Sequence, residues 1–238
     1  MNNISYPPLF IALEGIDGCG KSTQAELLAQ KLSDWGKIKT IKEPGGSEES
    51  LALRDYILSK DRPDFGAIGN ALLFEVSRAK TVESVIDPAL NNSTWIICDR
   101  YVHSGFAYTG VYENIPKLFR IAEEICPVWP DITFFIDIPV EESCRRRRGK
   151  IEDRIEARGS AYLDQVRENY KSFTKCDHLK FTRYPTESML LGIDTFIEID
   201  GLRTIEEITS EMYKKVIDLQ EALNHSDRFS RAKMRRVI

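Results

Sequence analysis

The chain has 238 residues, 42% hydrophobic and 29% charged, which suits one globular core and excludes global disorder. Its formal charge of −4 and pI of about 5.6 leave no overall basic footprint, so extended nucleic-acid binding would need a local patch. The runs Arg145 to Arg148 and Arg228 to Arg236 are the two such patches, and each can equally be a solvated charge run. Five cysteines (Cys19, Cys98, Cys126, Cys144 and Cys176) form an odd, scattered set without paired CxxC spacing. That argues against a zinc site or a disulfide framework and fits a reducing cytosol. No apolar run approaches the roughly 18 residues of a membrane span, and the start MNNISYPP has no signal-peptide pattern. A soluble, cytoplasmic protein that binds neither membrane nor nucleic acid is expected.

In chain order, the apolar run Leu9 to Leu13 leads into a helical pattern from Lys21 to Trp35 and a second strand at Ile38 to Ile41. That is a βαβ start. Helical periodicity follows from Ala67 to Leu90, then strands at Trp95 to Cys98 and Ile132 to Ile138. A polar, charge-rich interruption, Gly149 to Gly159, reads as a mobile loop. A helix from Ala161 to Lys175, a strand at Phe196 to Ile199 and a helix from Ile205 to Leu223 complete the pattern. Five buried strands alternating with helices predict an α/β fold whose five-stranded, largely parallel sheet carries helices on both faces. Residues 176 to 194 mix Pro, Gly and turn residues and receive no assignment.

Gly15-Ile16-Asp17-Gly18-Cys19-Gly20-Lys21-Ser22 satisfies GxxxxGK[ST] between an apolar strand and a helix, which is where a phosphate-binding loop must lie. Its glycines let backbone N–H groups turn inward on the phosphates of ATP, and the helix N-terminus adds partial positive charge. Lys21 is expected to reach the β- and γ-phosphates and Ser22 to ligate Mg²⁺, with Thr23 continuing the loop's rim. The Cys19 thiol, set at a helix N-terminus among inward-facing amides, has surroundings of the kind that lower a thiol pKa. The motif is silent on the phosphoryl acceptor, since switches, motors and kinases share it.

Further segments answer that. FIALEGIDGCGKSTQ (Phe10 to Gln24), KEPGGSEESLALR (Lys42 to Arg54), LLFEVSR (Leu72 to Arg78), DRYVHSGFAYTG (Asp99 to Gly110), PDITFFIDIP (Pro130 to Pro139) and RRRRGKIEDRIE (Arg145 to Glu156) together resemble the thymidylate kinase family. The resemblance runs to about Leu223, making residues 1–223 one nucleoside monophosphate kinase-like P-loop domain with a lid at about 145–160, followed by a basic tail at 224–238. It implies a Mg·ATP-dependent enzyme that phosphorylates dTMP to dTDP, and a homodimer.

Carried over residue by residue, the resemblance implies that Phe74 stacks on thymine and Arg78 hydrogen-bonds the base. The spacing agrees, because residues i and i+4 share a helix face; a core Phe beside a surface Arg is the alternative. Arg54 and Arg100 match the arginines that hold the acceptor phosphate, and guanidinium forks suit its oxygens. Arg54 could also be an ordinary helix-surface residue, whereas Arg100 follows Asp99 at the C-terminal end of a strand, where ligands bind in open α/β sheets. Asp99 resembles the acidic group beside Mg²⁺, with a helix cap as its other reading. Asp17 resembles the residue that receives the sugar 3′-OH. Tyr108 falls where an aromatic ring lies against the deoxyribose, or else packs at a sheet edge. Ser104 and Gly105 line the same turn. Gly18 stands where some members carry a phosphate-loop arginine, so a lid arginine, Arg148 or Arg154, is implied as its substitute. RGKIEDRIE holds one extra residue between those two. Arg145 to Arg147 read as the basic end of an exposed helix.

Two other function classes share these features. A nucleoside or nucleotide kinase of the same fold with a different acceptor is disfavoured by Arg54 and Arg100 if that acceptor lacks a phosphate. A nucleotide-binding protein without turnover is disfavoured by the presence of Lys21, Asp99 and the lid arginines.

Overall fold

In a computed structural model, residues 7–126, 128–149, 153–175 and 195–234 are described. The unassigned segment 176–194, lid residues 150–152, Arg235, Arg236 and the first six residues lie outside them. The strands are β1 (Phe10–Glu14), β2 (Lys37–Lys42), β3 (Thr94–Asp99), β4 (Ile132–Asp137) and β5 (Phe196–Asp200). All pair in parallel, in the order β2-β3-β1-β4-β5. The helices are α1 (Lys21–Leu32), α2 (Glu48–Leu58), α3 (Gly66–Thr81), α4 (Asp87–Asn91), α5 (Val102–Thr109), α6 (Ile115–Ile125), α7 (Val140–Arg146), α8 (Ser160–Phe173) and α9 (Ile205–Met234).

The central strand β1 (FIALE) is buried at every position, and β3 and β4 nearly so. Residues on both sides of these strands are therefore covered, as parallel sheets require. One covering layer includes α1, which packs on α9, and the other includes α3, α5, α6 and α8. The expectation of five buried strands needs correcting at the edge. In β2 only Ile41 is buried, while Lys37, Lys39 and Lys42 are exposed; edge lysines deter pairing with another chain.

The long helical pattern from Ala67 to Leu90 is one continuous stretch divided into α3, a π-helical turn at Val82–Ile86 and α4. Four helices were not among the expected elements, α6 despite its apolar face of Leu118 and Ala122. In α2 only Ser50 and Ile57 are buried, so no apolar stripe marks it. Its start is instead written in a reciprocal cap: Ser50 N donates to Ser47 Oγ at 3.2 Å and Ser47 N to Ser50 Oγ at 2.9 Å. Helices α5 and α7 are short, and α6 opens at Asn114, whose side chain accepts from Lys117 N. Helix α9 runs past Leu223 to Met234 because residues 224–234 contain no Pro or Gly to stop it.

Candidate active site

The site forms at the C-terminal ends of β1 and β3, where the parallel strands deliver their following loops to one edge. Gly15, Gly18 and Gly20 have φ of +138°, +79° and +103°, the left-handed region that glycine alone enters without strain. A Cβ on Gly15 would sit 2.5 Å from Ile136 O. Lys21 is buried, and its ammonium donates to Gly15 O and Ile16 O, both at 3.0 Å, so it spans the loop's own carbonyls. Ser22 and Thr23 are exposed at the first turn of α1.

Ser22 Oγ donates to Asp99 Oδ2, while Asp99 Oδ1 is buried without a hydrogen-bond partner. Lys42 Nζ approaches the same carboxylate at 3.6 Å. Burial raises the Asp99 pKa, but Lys21 and Arg100 outweigh it and hold the carboxyl below its usual range. A hydroxyl, an ionised carboxylate and an orphaned lone pair suit a hard cation that takes few protein ligands, so Mg²⁺ fits here.

Arg100 has φ of +73°, which turns its side chain back under the phosphate loop. Its guanidinium donates to Gly15 O at 2.9 Å, Ser104 Oγ at 3.2 Å, Asp17 Oδ1 at 2.5 Å and Tyr108 OH at 3.2 Å. Tyr108 OH in turn donates to Asp17 Oδ2 at 3.2 Å. Burial pushes the Asp17 pKa up, and the cations Arg100 and Lys21 more than reverse that. Tyr108 lies on α5, not at a sheet edge, and the guanidinium of Arg100 sits 5.1 Å from its ring centre.

A cavity of about 770 Å³ opens beside this cluster. Asp17, Arg54, Phe74, Arg78, Arg100, Ser104, Gly105 and Tyr108 all line it, so every residue expected on the acceptor side meets in one place. Arg54 donates to Pro44 O, and a Cβ on Gly45 would lie 2.9 Å from Arg54 Cδ. Arg78 is buried against Glu75, donates to Tyr101 O at 3.3 Å and lies 5.4 Å from the Tyr101 ring centre. The alternative of a surface arginine at 78 is thereby excluded. Burial opposes the charge on Arg78, but Glu75 reverses the balance and raises its pKa.

The basic run before the lid is more engaged than an exposed helix end. Arg146 donates to Gly18 O at 3.5 Å and Gly201 O at 3.0 Å. Arg147 is 9% exposed, pairs with Glu156 at 3.4 Å and donates through Nε to Ser143 Oγ at 3.3 Å. A Cβ on Gly18 would fall 3.2 Å from Arg147 Cγ, so the bare glycine makes room for this side chain. Arg148 is exposed and makes no side-chain hydrogen bond or ion pair with any described residue. Arg154 lines the cavity, donating to Arg62 O at 2.9 Å and pairing with Asp64 at 3.2 Å. Among the described residues, Arg146 and Arg147 both lie against Gly18 of the phosphate loop, and sequence reasoning passed over both.

Cys19 requires a correction. Its thiol is buried, and burial pushes its pKa up despite Lys21 and Arg100 nearby, the opposite of the lowering expected at a helix N-terminus. Sequence reasoning also missed Glu14. This fully buried carboxylate accepts from Tyr101 N at 2.8 Å, Ser104 N at 3.1 Å, Ser104 Oγ at 2.6 Å and Tyr170 OH at 2.8 Å. It caps α5 from another element and sets where Ser104 and Tyr108 stand. The available signal was a charge ending an otherwise apolar strand, since Glu is almost never fully buried unless paired. Ser143 was missed as well; its Oγ donates to Asp17 O at 2.6 Å and ties α7 to the phosphate loop.

Comparison with known proteins agrees with this geometry. The family model described as thymidylate kinase matches residues 13–193. A thymidylate kinase from Fervidobacterium nodosum is 37% identical over 211 residues, covering 87% of this chain and 97% of its own. One from Prochlorococcus marinus strain AS9601 is 41% identical over 176 residues, covering 70% and 83%. One from Thermosipho melanesiensis is 35% identical over 216 residues, covering 88% and 98%. With a family model matched over residues 13–193 and relatives matched over nearly their full length, the chain belongs to the thymidylate kinase family.

Proposed function

We propose that this chain transfers the γ-phosphoryl group of ATP to dTMP, giving ADP and dTDP. The observation that carries the reading is the single cavity that gathers Phe74, Arg78, Arg54, Arg100 and Tyr108 and joins the phosphate loop at Asp17. The acceptor must hold an aromatic base, a sugar and a phosphate in line with ATP, and the lining supplies one group of each needed kind. Phe74 stacks on the base and Arg78 donates to it. Asp17 receives the sugar 3′-OH, and the Tyr108 ring leaves no room for a 2′-OH. Arg54 and Arg100 hold the acceptor phosphate, one oxygen of which attacks the γ-phosphorus as the bond to the β-phosphate oxygen breaks. Lys21 leaves the loop carbonyls for the β- and γ-phosphates, and Arg147 faces the migrating group from the lid side.

Ser22 and Asp99 are the residues to hold Mg²⁺, which when bound neutralises charge on the phosphates. Leu72 and Val76 are exposed on α3 and Phe65 just before it, with Leu51 exposed on neighbouring α2; these apolar side chains support a homodimer packed across α3. Unpaired cysteines at 19, 98, 126 and 144 support a cytoplasmic location. The test is a panel of nucleoside monophosphates and thymidine with Mg·ATP, reading ADP release and the phosphorylated acceptor, a diphosphate from each monophosphate and a monophosphate from thymidine. The highest kcat/KM is expected for dTMP. Equal turnover of dCMP or AMP refutes the base assignment, and a preference for thymidine refutes the phosphate clamp.

A further inference from the structure

Glu75 stands three residues before Arg78 on α3, facing inward, and its carboxylate is 6% exposed against 3% for the guanidinium. Exchanging such a buried ion pair for apolar side chains is often neutral or stabilising, so its presence is a weak argument for stability and invites another explanation. The surroundings supply one. The Arg78 guanidinium is held on three sides: Nη1 lies against Glu75 Oε1, Nη2 donates to Tyr101 O, and its face lies near the Tyr101 ring. Opposite stands Gly105, where a Cβ would fall 3.3 Å from Glu75 Oε1 and 3.6 Å from Arg78 Nη2. The missing side chain at 105 leaves Arg78 at the wall of the cavity, which Gly105 and Arg78 both line, with Glu75 behind it. Arg78 Nε, Arg78 Nη1 and Glu75 Oε2 are buried without hydrogen-bond partners, so Glu75 and Arg78 meet as an ion pair and not through an aligned hydrogen bond.

We propose that Glu75 is a positioning residue that sets base selectivity by aiming Arg78 into the acceptor cavity. The inference rests on the reading of Arg78 as the base donor. Two effects follow from the geometry. Glu75 fixes which N–H groups of Arg78 face the cavity. It also cancels the guanidinium charge, so the base meets an oriented donor in a locally neutral pocket. A base presenting a carbonyl oxygen is accepted there. One presenting an amino group sets donor against donor and is rejected, because a buried polar group left unpaired is costly.

The test uses the full chain with Glu75→Gln, which keeps the side chain's shape, removes its charge and turns one acceptor into a donor facing the guanidinium. Expected are a rise of about 10- to 100-fold in dTMP KM, the scale of one charged hydrogen bond, a far smaller change in kcat, and a fall in the dTMP-to-dCMP ratio of kcat/KM. An unchanged KM and an unchanged ratio overturn the proposal, whatever happens to Tm. A purely structural residue would lower Tm alone. Should Glu75→Gln fail to fold, Arg78→Gln is compared with the Glu75→Gln/Arg78→Gln double variant, in which both charges go together. Equal dTMP Kd and equal selectivity in the two support action through Arg78; a further loss in the double variant overturns it. If the wild type itself does not discriminate dTMP from dCMP, the base reading fails along with the proposal. Failure of Glu75 alone leaves wild-type selectivity intact.

Discussion

Replacing Arg147 with Met keeps much of its aliphatic bulk over Gly18 while deleting the guanidinium. At 9% exposure the side chain lies in partly excluded solvent, where an effective dielectric near 20 makes a unit charge about 4 Å from developing negative charge worth about 4 kcal/mol. At about 1.36 kcal/mol per decade that is roughly 10³ in kcat. In bulk water the same contact would be worth about 1 kcal/mol, or about fivefold. The Glu156 partner at 3.4 Å must be given up for phosphate oxygens, so about 4 kcal/mol is the upper figure, and the part that appears in kcat is what Arg147 gains only as charge develops in the transition state. The assay is steady-state kcat with both substrates saturating, with dTMP Kd measured by calorimetry. We expect kcat to fall by up to about 10³ and dTMP Kd to stay unchanged. Arg154→Met, which loses contacts to Arg62 and Asp64 beside the acceptor cavity, is expected instead to raise dTMP KM. A loss within about fivefold for Arg147→Met, beside a large kcat loss for Arg148→Met or Arg154→Met, refutes the assignment.

Tyr108→Ala empties the ring volume beside Asp17 and Arg100, so kcat/KM for the ribonucleotide should rise relative to dTMP; an unchanged ratio returns Tyr108 to a packing role. Cys19, buried and with its thiol pKa pushed up, should resist iodoacetamide at neutral pH in the folded protein, while exposed Cys144 is modified; mass-mapped labelling decides. The folded pKa of Asp17 is depressed, so the stability it contributes is fully present above its unfolded value of about 3.9 and is lost as pH falls through the folded one. The Tm difference between wild type and Asp17→Asn should therefore be constant from about pH 8 to 5 and shrink below about pH 4; a difference that changes across neutral pH would contradict the depressed value.

The order of the five strands, the helices α1, α3, α8 and α9 and the phosphate loop were legible in the sequence, and the acceptor-side residues were proposed there from motifs that resemble a family's. Each is encoded locally, as a run, a spacing or a motif. The glycines at 15 and 18 declared a loop that must turn with positive φ, and Phe74 with Arg78 declared a shared helix face. Only the tertiary structure decided the rest. Helix α5 carries no cap of its own, because Glu14, 87 residues from Tyr101, closes its N-terminus. No periodicity can register a hydrogen bond across that separation. The exposure of β2 followed from its place at the edge of the strand order, which a parallel sheet assigns through its crossovers. The cysteine chemistry turned on a balance of burial against neighbouring charge, and burial is a property of packing. Four consecutive arginines look equivalent in sequence. The turn at the end of α7 separated them, laying Arg147 against the bare backbone of Gly18 and leaving Arg148 in solvent.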